Sequence, residues 1–220
     1  MSLNPELLRT EFLGLAVHFD EVSLDREALA MFFAQDAAHY GLTRFEYMPD
    51  GGASCTGAEG AEFAIRPGSI TSAGVVRLGL NEGRERIAGL IDEAVRRFGI
   101  GHMWIDDVTV VATWDCEEPD GGRRLVAEDI LRFDPERLAL IGDDETSVGL
   151  RLWRAMGEGN VDISVEPMHA DLAKVYLRLA YAQPDPVSDT HGITAAIESL
   201  NDFLLGPLRS FILSLARSSG

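Results

Sequence analysis

Two hydrophobic periods take turns along this chain. "LGLAVHF" sets Leu13, Leu15, Val17 and Phe19 on one side, the period of two that marks a half-buried strand. In "DREALAMFFAQDAAHYG" the apolar residues Leu29, Phe32, Phe33, Ala37 and Tyr40 recur at helical spacing. Ser23 or Asp25 can start that helix by accepting an orphan N–H, and Gly41 can end it. "RFEYMPDGGAS" then reads as a strand running into a Pro-Asp-Gly-Gly turn, followed by the strands "AEFAIRPG" and "AGVVRLGL". A long helix follows, capped by Asn81 and stopped by Gly99, with Ile87, Leu90, Ile91, Ala94, Val95 and Phe98 as its apolar stripe. On its back, Asp92 with Arg96 and Glu93 with Arg97 are spaced as acid-before-base pairs.

The same order restarts at "VTVVATWDC", where Val108, Val110, Ala112 and Trp114 share a face. A Pro119-Asp120-Gly121-Gly122 turn leads to "LVAEDILRF" and "DPERLALIG". Pro135 fits the first turn of a helix but not its interior, so the helix expected here is broken or kinked, and "RLVAEDIL" also suits a strand. "SVGLRLWRAM", the turn "GEGN", "VDISVEP" and "AKVYLRLAY" supply further strands. The last helix carries Ile193, Ala196, Ile197, Leu200 and Leu204, and Gly206-Pro207 is expected to kink or interrupt it before "LRSFILSLA".

The two passes align. Phe63, Ile65 and Pro67 match Ile163, Val165 and Pro167 at an offset of 100, and Arg77-Leu78 match Arg178-Leu179 at 101. Each pass reads strand, helix, three strands, helix. Alternating rather than continuous apolar strands argue for an antiparallel sheet with one covered face. The expected fold is therefore α+β: internally duplicated β-α-β(3)-α halves, 1–103 and 104–220, related by a pseudo-two-fold axis. Their mostly antiparallel, curved sheet would have about eight strands, with helices packed on one face. The sequence leaves open whether the halves share one sheet.

This repeated order resembles the duplicated architecture of TBP-like proteins. It is also similar to the helix-grip fold of START-type and cyclase-like lipid or polyketide binders, and resembles uncharacterised bacterial proteins that end in a helix such as "THGITAAIESLNDFLL", with His191. The likeness covers nearly the whole chain but lies in topology, so it carries over no functional residue. The TBP-like resemblance alone would imply a DNA-binding sheet face.

Charge argues against that. The 220 residues hold 19 Lys and Arg against 36 Asp and Glu, a formal charge of −17. Such a surface repels phosphate backbones and anionic headgroups, so neither nucleic acid nor a membrane is the expected partner. The basic pairs Arg96-Arg97 and Arg123-Arg124 sit beside carboxylates. No secretory leader and no apolar run of about 20 residues stands out. Cys55 and Cys116 have neither CxxC nor metal spacing, which suits a reducing compartment, and the expected location is cytoplasmic.

Candidate chemistry is thin. Glu166, His169 and Asp171 in "EPMHAD" cluster on an expected turn, where consecutive side chains diverge. His102, Trp104, Asp106 and Asp107 in "GHMWIDD" read as a polar linker between the halves with a buried Trp. Cys55 sits in a Gly-rich stretch read as a flexible loop, with no base nearby in sequence. No nucleophile elbow, phosphate loop, dinucleotide fingerprint or zinc-protease motif occurs, so no catalytic residue, cofactor or metal is expected. The best pocket candidates are His18, opposite the apolar face of the first strand, and Trp153, Tyr176 and Arg178, which with Arg151 and Arg154 can form an aromatic and cationic sheet face.

Two functions fit. The first is a non-enzymatic protein- or peptide-binding or assembly module, homodimeric through its apolar C-terminal helix or a sheet edge. The second is a helix-grip-like small-molecule binder or enzyme with an apolar cavity between sheet and helices, walled by His18 or a tyrosine.

Overall fold

A computed structural model describes residues 3–76, 80–134, 136 and 147–217. Among them, nine strands form a single antiparallel sheet: β1 (Leu8–Phe19), β2 (Leu42–Tyr47), β3 (Ala53–Gly57), β4 (Glu62–Arg66), β5 (Ser69–Val75), β6 (Met103–Asp115), β7 (Leu150–Met156), β8 (Gly159–Pro167) and β9 (Lys174–Ala182). Their order across the sheet is β2-β3-β4-β5-β1-β6-β9-β8-β7. The fold is thus α+β, with β1 and β6 at its middle and one strand more than expected. The additional strand is β3, whose Gly, Ser and Thr content disguises it.

The helices are α1 (Arg26–Gln35), α2 (Leu80–Phe98), the short α3 (Gly121–Arg124), α4 (Thr190–Phe203) and α5 (Arg209–Arg217). Asp25 caps α1 by accepting from the Ala28 N–H at 2.9 Å, as an N-cap carboxylate should. A 3-10 turn extends that segment to Gly41, which ends it at φ +78°. α2 already includes Leu80, so Asn81 lies inside its first turn instead of capping it. Gly99, at φ +65°, closes it.

The charges on α2 pair differently from the expected i,i+4 couples. Arg96 bonds Glu93, Arg97 reaches Asp36 at 2.8 Å, and Asp92 accepts from the Thr190 hydroxyl. Packing against the α1 end and α4 offers partners that a lone helix lacks. Arg84 likewise pairs with Glu198 and ties α2 to α4.

α3 runs directly into a π-helical turn, Leu125–Ile130, so "RLVAEDIL" is helical and Gly121-Gly122 begin a helix. Gly122 is required by proximity: a Cβ there would lie 2.2 Å from the Lys174 carbonyl oxygen. The expected Pro135 break and the rest of "DPERLALIG", like the matched pair Arg77-Leu78, lie outside the described residues, Asp134 and Glu136 apart. Gly206-Pro207 does not interrupt the last helix. A π turn, Leu204–Leu208, absorbs the missing proline N–H and joins α4 to α5.

Alternate strand residues enter one core. Leu13, Leu15, Val17, Phe63, Ile65, Val110, Trp114, Ile163, Val165, Leu177 and Leu179 are buried together with Phe32 of α1, Ile87 and Leu90 of α2, and Ile197 and Leu200 of α4. Trp114 is fully buried, and its indole N–H donates to the Asn4 carbonyl at 2.8 Å, leaving no orphan donor. No helix among the described residues is long and apolar enough to cross a membrane.

Candidate binding surface on the helix-free sheet face

The residues between the core positions point to the opposite face, which carries no helix among the described residues. At its centre the side chains are small: Gly14 and Ala16 on β1, Thr71 and Ala73 on β5, Thr109 on β6. They floor an open groove of about 440 Å3. Phe12, Tyr176 and Arg178 wall it on one side, with Glu62 and Asp107 contributing carboxylates. Backbone register explains the assembly. Ala16 lies opposite both Thr71 and Asp107, Gly14 opposite Ala73 and Thr109, and Val111 opposite Arg178, so strands far apart in sequence supply adjacent side chains.

Arg178 is the notable charge in the groove. Its Nη2 lies 3.5 Å from the Thr109 hydroxyl oxygen, and among the described residues no carboxylate reaches ion-pair distance of it. The Thr109 hydroxyl in turn donates to Asp107 at 2.5 Å, which holds that carboxylate at the groove wall.

His18 stands on the same face further along β1. Its Nδ1 is 2.7 Å from an Asp106 oxygen, and its ring stacks on Trp104 at 5.1 Å with planes 7° apart. "GHMWIDD" is therefore no linker. From Met103 on it is the first part of β6, Met103 and Ile105 are core residues, and the register skips past Asp106 opposite Ala16 and Val17. That irregularity frees the Asp106 carboxylate for His18. Trp104 is only half-buried; the buried tryptophan is Trp114.

Trp153 lies out on β7, the last strand of the sheet, and is 70 % exposed. The Arg151 guanidinium sits 4.8 Å from its ring centre. Arg151 is itself gripped by Asp162 of β8 through two of its nitrogens, Nε donating at 2.9 Å. Those bonds hold the Asp162 carboxyl below the usual carboxylate range and push the guanidinium up. Tyr176 and Arg178, two apart on β9, share the groove; Trp153 and His18 flank it.

The remaining candidates separate. Asp171 pairs with Lys174 at 3.0 Å, while Glu166 sits in β8 opposite Tyr176, so "EPMHAD" does not converge. Among the described residues no group of three His, Cys, Asp or Glu is placed to hold a metal. Cys55 is not in a loop: it lies in β3, buried, and burial raises its pKa. Cys116, also buried, is pushed up to about 12 by desolvation and by Asp115 and Glu118. Phe12, Thr71 and Thr109 of the groove were not singled out from sequence, and Asp107 was read there as part of a linker. The readable sign was the run of small residues at alternate positions of β1 and β5.

No family model matches the chain, and no curated protein matches it.

Proposed function

We propose that this protein is a non-enzymatic binding or assembly module that receives a protein or peptide on its helix-free sheet face. The observation that carries this reading is the groove itself: a floor of small side chains, an aromatic wall, and Arg178 with no carboxylate at ion-pair distance among the described residues. A cationic group in an apolar-floored groove suits a segment bearing a carboxylate and a small apolar side chain. His18, one candidate for the wall of a cavity between sheet and helices, lies on the other side of the sheet, which weighs against the small-molecule reading.

The architecture fits an ancient duplication. Outward from the β1–β6 pair, β5-β4-β3 on one side parallels β9-β8-β7 on the other, each hairpin antiparallel. In this reading residues 1–103 and 104–220 are the two descendants, related by a pseudo-two-fold axis through that central pair. A second copy would associate through the C-terminal helix, where Leu205 and Phe211 remain 39 % and 43 % exposed although Leu208 and Ile212 dock on the chain's own core. A reducing cytoplasmic setting agrees with two unpaired thiols.

Amide-resolved NMR titration with pooled random dodecapeptides tests the reading. Perturbations are expected to gather on β5, β1, β6 and β9 and to vanish in Arg178→Glu. A thermal-shift screen with hydrophobic carboxylic acids should leave Tm unchanged. A rise that survives both Arg178→Glu and Tyr176→Ala would place a ligand beneath the sheet and favour the small-molecule binder.

A further inference from the structure

We infer that the open edge of β7 takes up an acidic, extended peptide segment as a tenth strand, with Trp153 as its anchor. This goes beyond the groove reading above by adding a separate peptide site at the edge of the same sheet.

Three observations converge. First, the sheet is lopsided. One flank of the β1–β6 pair is four strands deep, ending in β2, and the other is three deep, ending in β7. The two outer strands are finished differently. β2 is fastened to α1, with the Tyr47 hydroxyl donating to the Arg26 carbonyl at 3.0 Å and Phe45 packed on Phe33. β7 runs for seven residues with no strand on its outer side among the described residues. An unpaired strand edge offers a row of N–H and C=O groups to any chain that can lie beside it.

Second, charge alternates strand by strand toward that edge. β9 carries Lys174 and Arg178 and no acid, β8 carries Asp162 and Glu166 and no base, and β7 carries Arg151 and Arg154 and no acid. The strand that continues the series is acidic. A second copy of β7 is the wrong occupant, because antiparallel pairing about Trp153 brings four arginines together on two molecules of charge −17.

Third, Trp153 is held ready. A large exposed aromatic backed by an arginine that is locked to a carboxylate has its rotamer freedom reduced before any partner arrives. Arg154 points to the other side of the strand, 4.9 Å from the Phe203 ring, with no carboxylate at ion-pair distance among the described residues. The fitting segment therefore alternates, with an apolar side chain beside Trp153 on one face and a carboxylate beside Arg154 on the other.

A phage-displayed random dodecapeptide library panned on the whole protein tests this, with synthetic binders then measured by calorimetry. The expected result is an enriched motif of alternating acidic and apolar residues. Its affinity should fall about tenfold or more in Trp153→Ala and in Arg154→Glu, and hold in Arg66→Ala, a surface arginine paired with Asp50 on the far flank of the sheet. N-methylating alternate peptide amides should abolish binding, and circular dichroism should show both variants folded. Binders that weaken in Arg178→Ala but not in Trp153→Ala would overturn the edge site and leave the groove reading standing. Failure to enrich any motif would overturn both. A sedimentation-equilibrium dimer that Trp153→Ala makes monomeric would show the occupant to be a second copy, and would also overturn the inference.

Discussion

Cys116 shows how strongly a single position can be set by its surroundings. With its pKa pushed up to about 12 by burial and two neighbouring carboxylates, it stays a neutral thiol through the physiological range. Neither it nor Cys55 should react with Ellman's reagent at pH 8 until the protein unfolds, and both should then react together. Because the folded state raises this pKa, its contribution to stability is complete below the ordinary thiol value near 9.0 and is lost as pH climbs toward about 12, so urea midpoints should fall over that interval. Asp162 has the opposite sign. Arg151 depresses its pKa, so the grip on Trp153 holds above the ordinary aspartate value of 3.8 and loosens as pH falls below it. Arg151→Ala should therefore raise iodide quenching of Trp153, read against a Trp153→Phe control.

Elements were legible where a side-chain period was clean and obscured where packing overrode it. The stripe of α2 and the alternation of β1, β8 and β9 needed no tertiary information. β3 was hidden because Ser54 and Thr56 read as loop residues, although Ala53 and Cys55, which alternate with them, enter the core. The start of β6 was hidden because a register irregularity places Asp106 and Asp107 in succession where alternation predicts one apolar residue. The groove was less legible still. Its floor and walls come from β1, β4, β5, β6 and β9, and only pairing across the sheet collects them. Two substitutions probe the elements themselves. Asp189→Ala removes the side chain that accepts from the His191 and Gly192 N–H groups at the start of α4, and should cost about 1 kcal/mol in denaturant titrations. Gly122→Ala should cost more, about 1–3 kcal/mol, because a backbone carbonyl must move to admit the methyl.

For the whole molecule, the sum of charges and the sheet order set the expectations. A chain of −17 repels itself when compact, so raising salt from about 0.01 M to about 0.15 M, which shortens the screening length severalfold, should raise Tm. Hydrogen exchange should grade outward along the sheet. Amides of β1, β6 and β9 are paired on both sides and should be slowest; β2 and β7, paired on one side, should be fastest.

The β1–β6 seam has a consequence for synthesis and assembly. Leu8 lies opposite Trp114, so the first strand made must wait for more than a hundred residues of chain before its second neighbour exists. Cutting the chain within Gly99–Gly101, the short link that precedes β6, would give two polypeptides, each ending its sheet in a bare border of a dozen or so residues shaped for the other. Expressed together, those pieces should find one another and co-purify as a stoichiometric pair; expressed singly, each should precipitate.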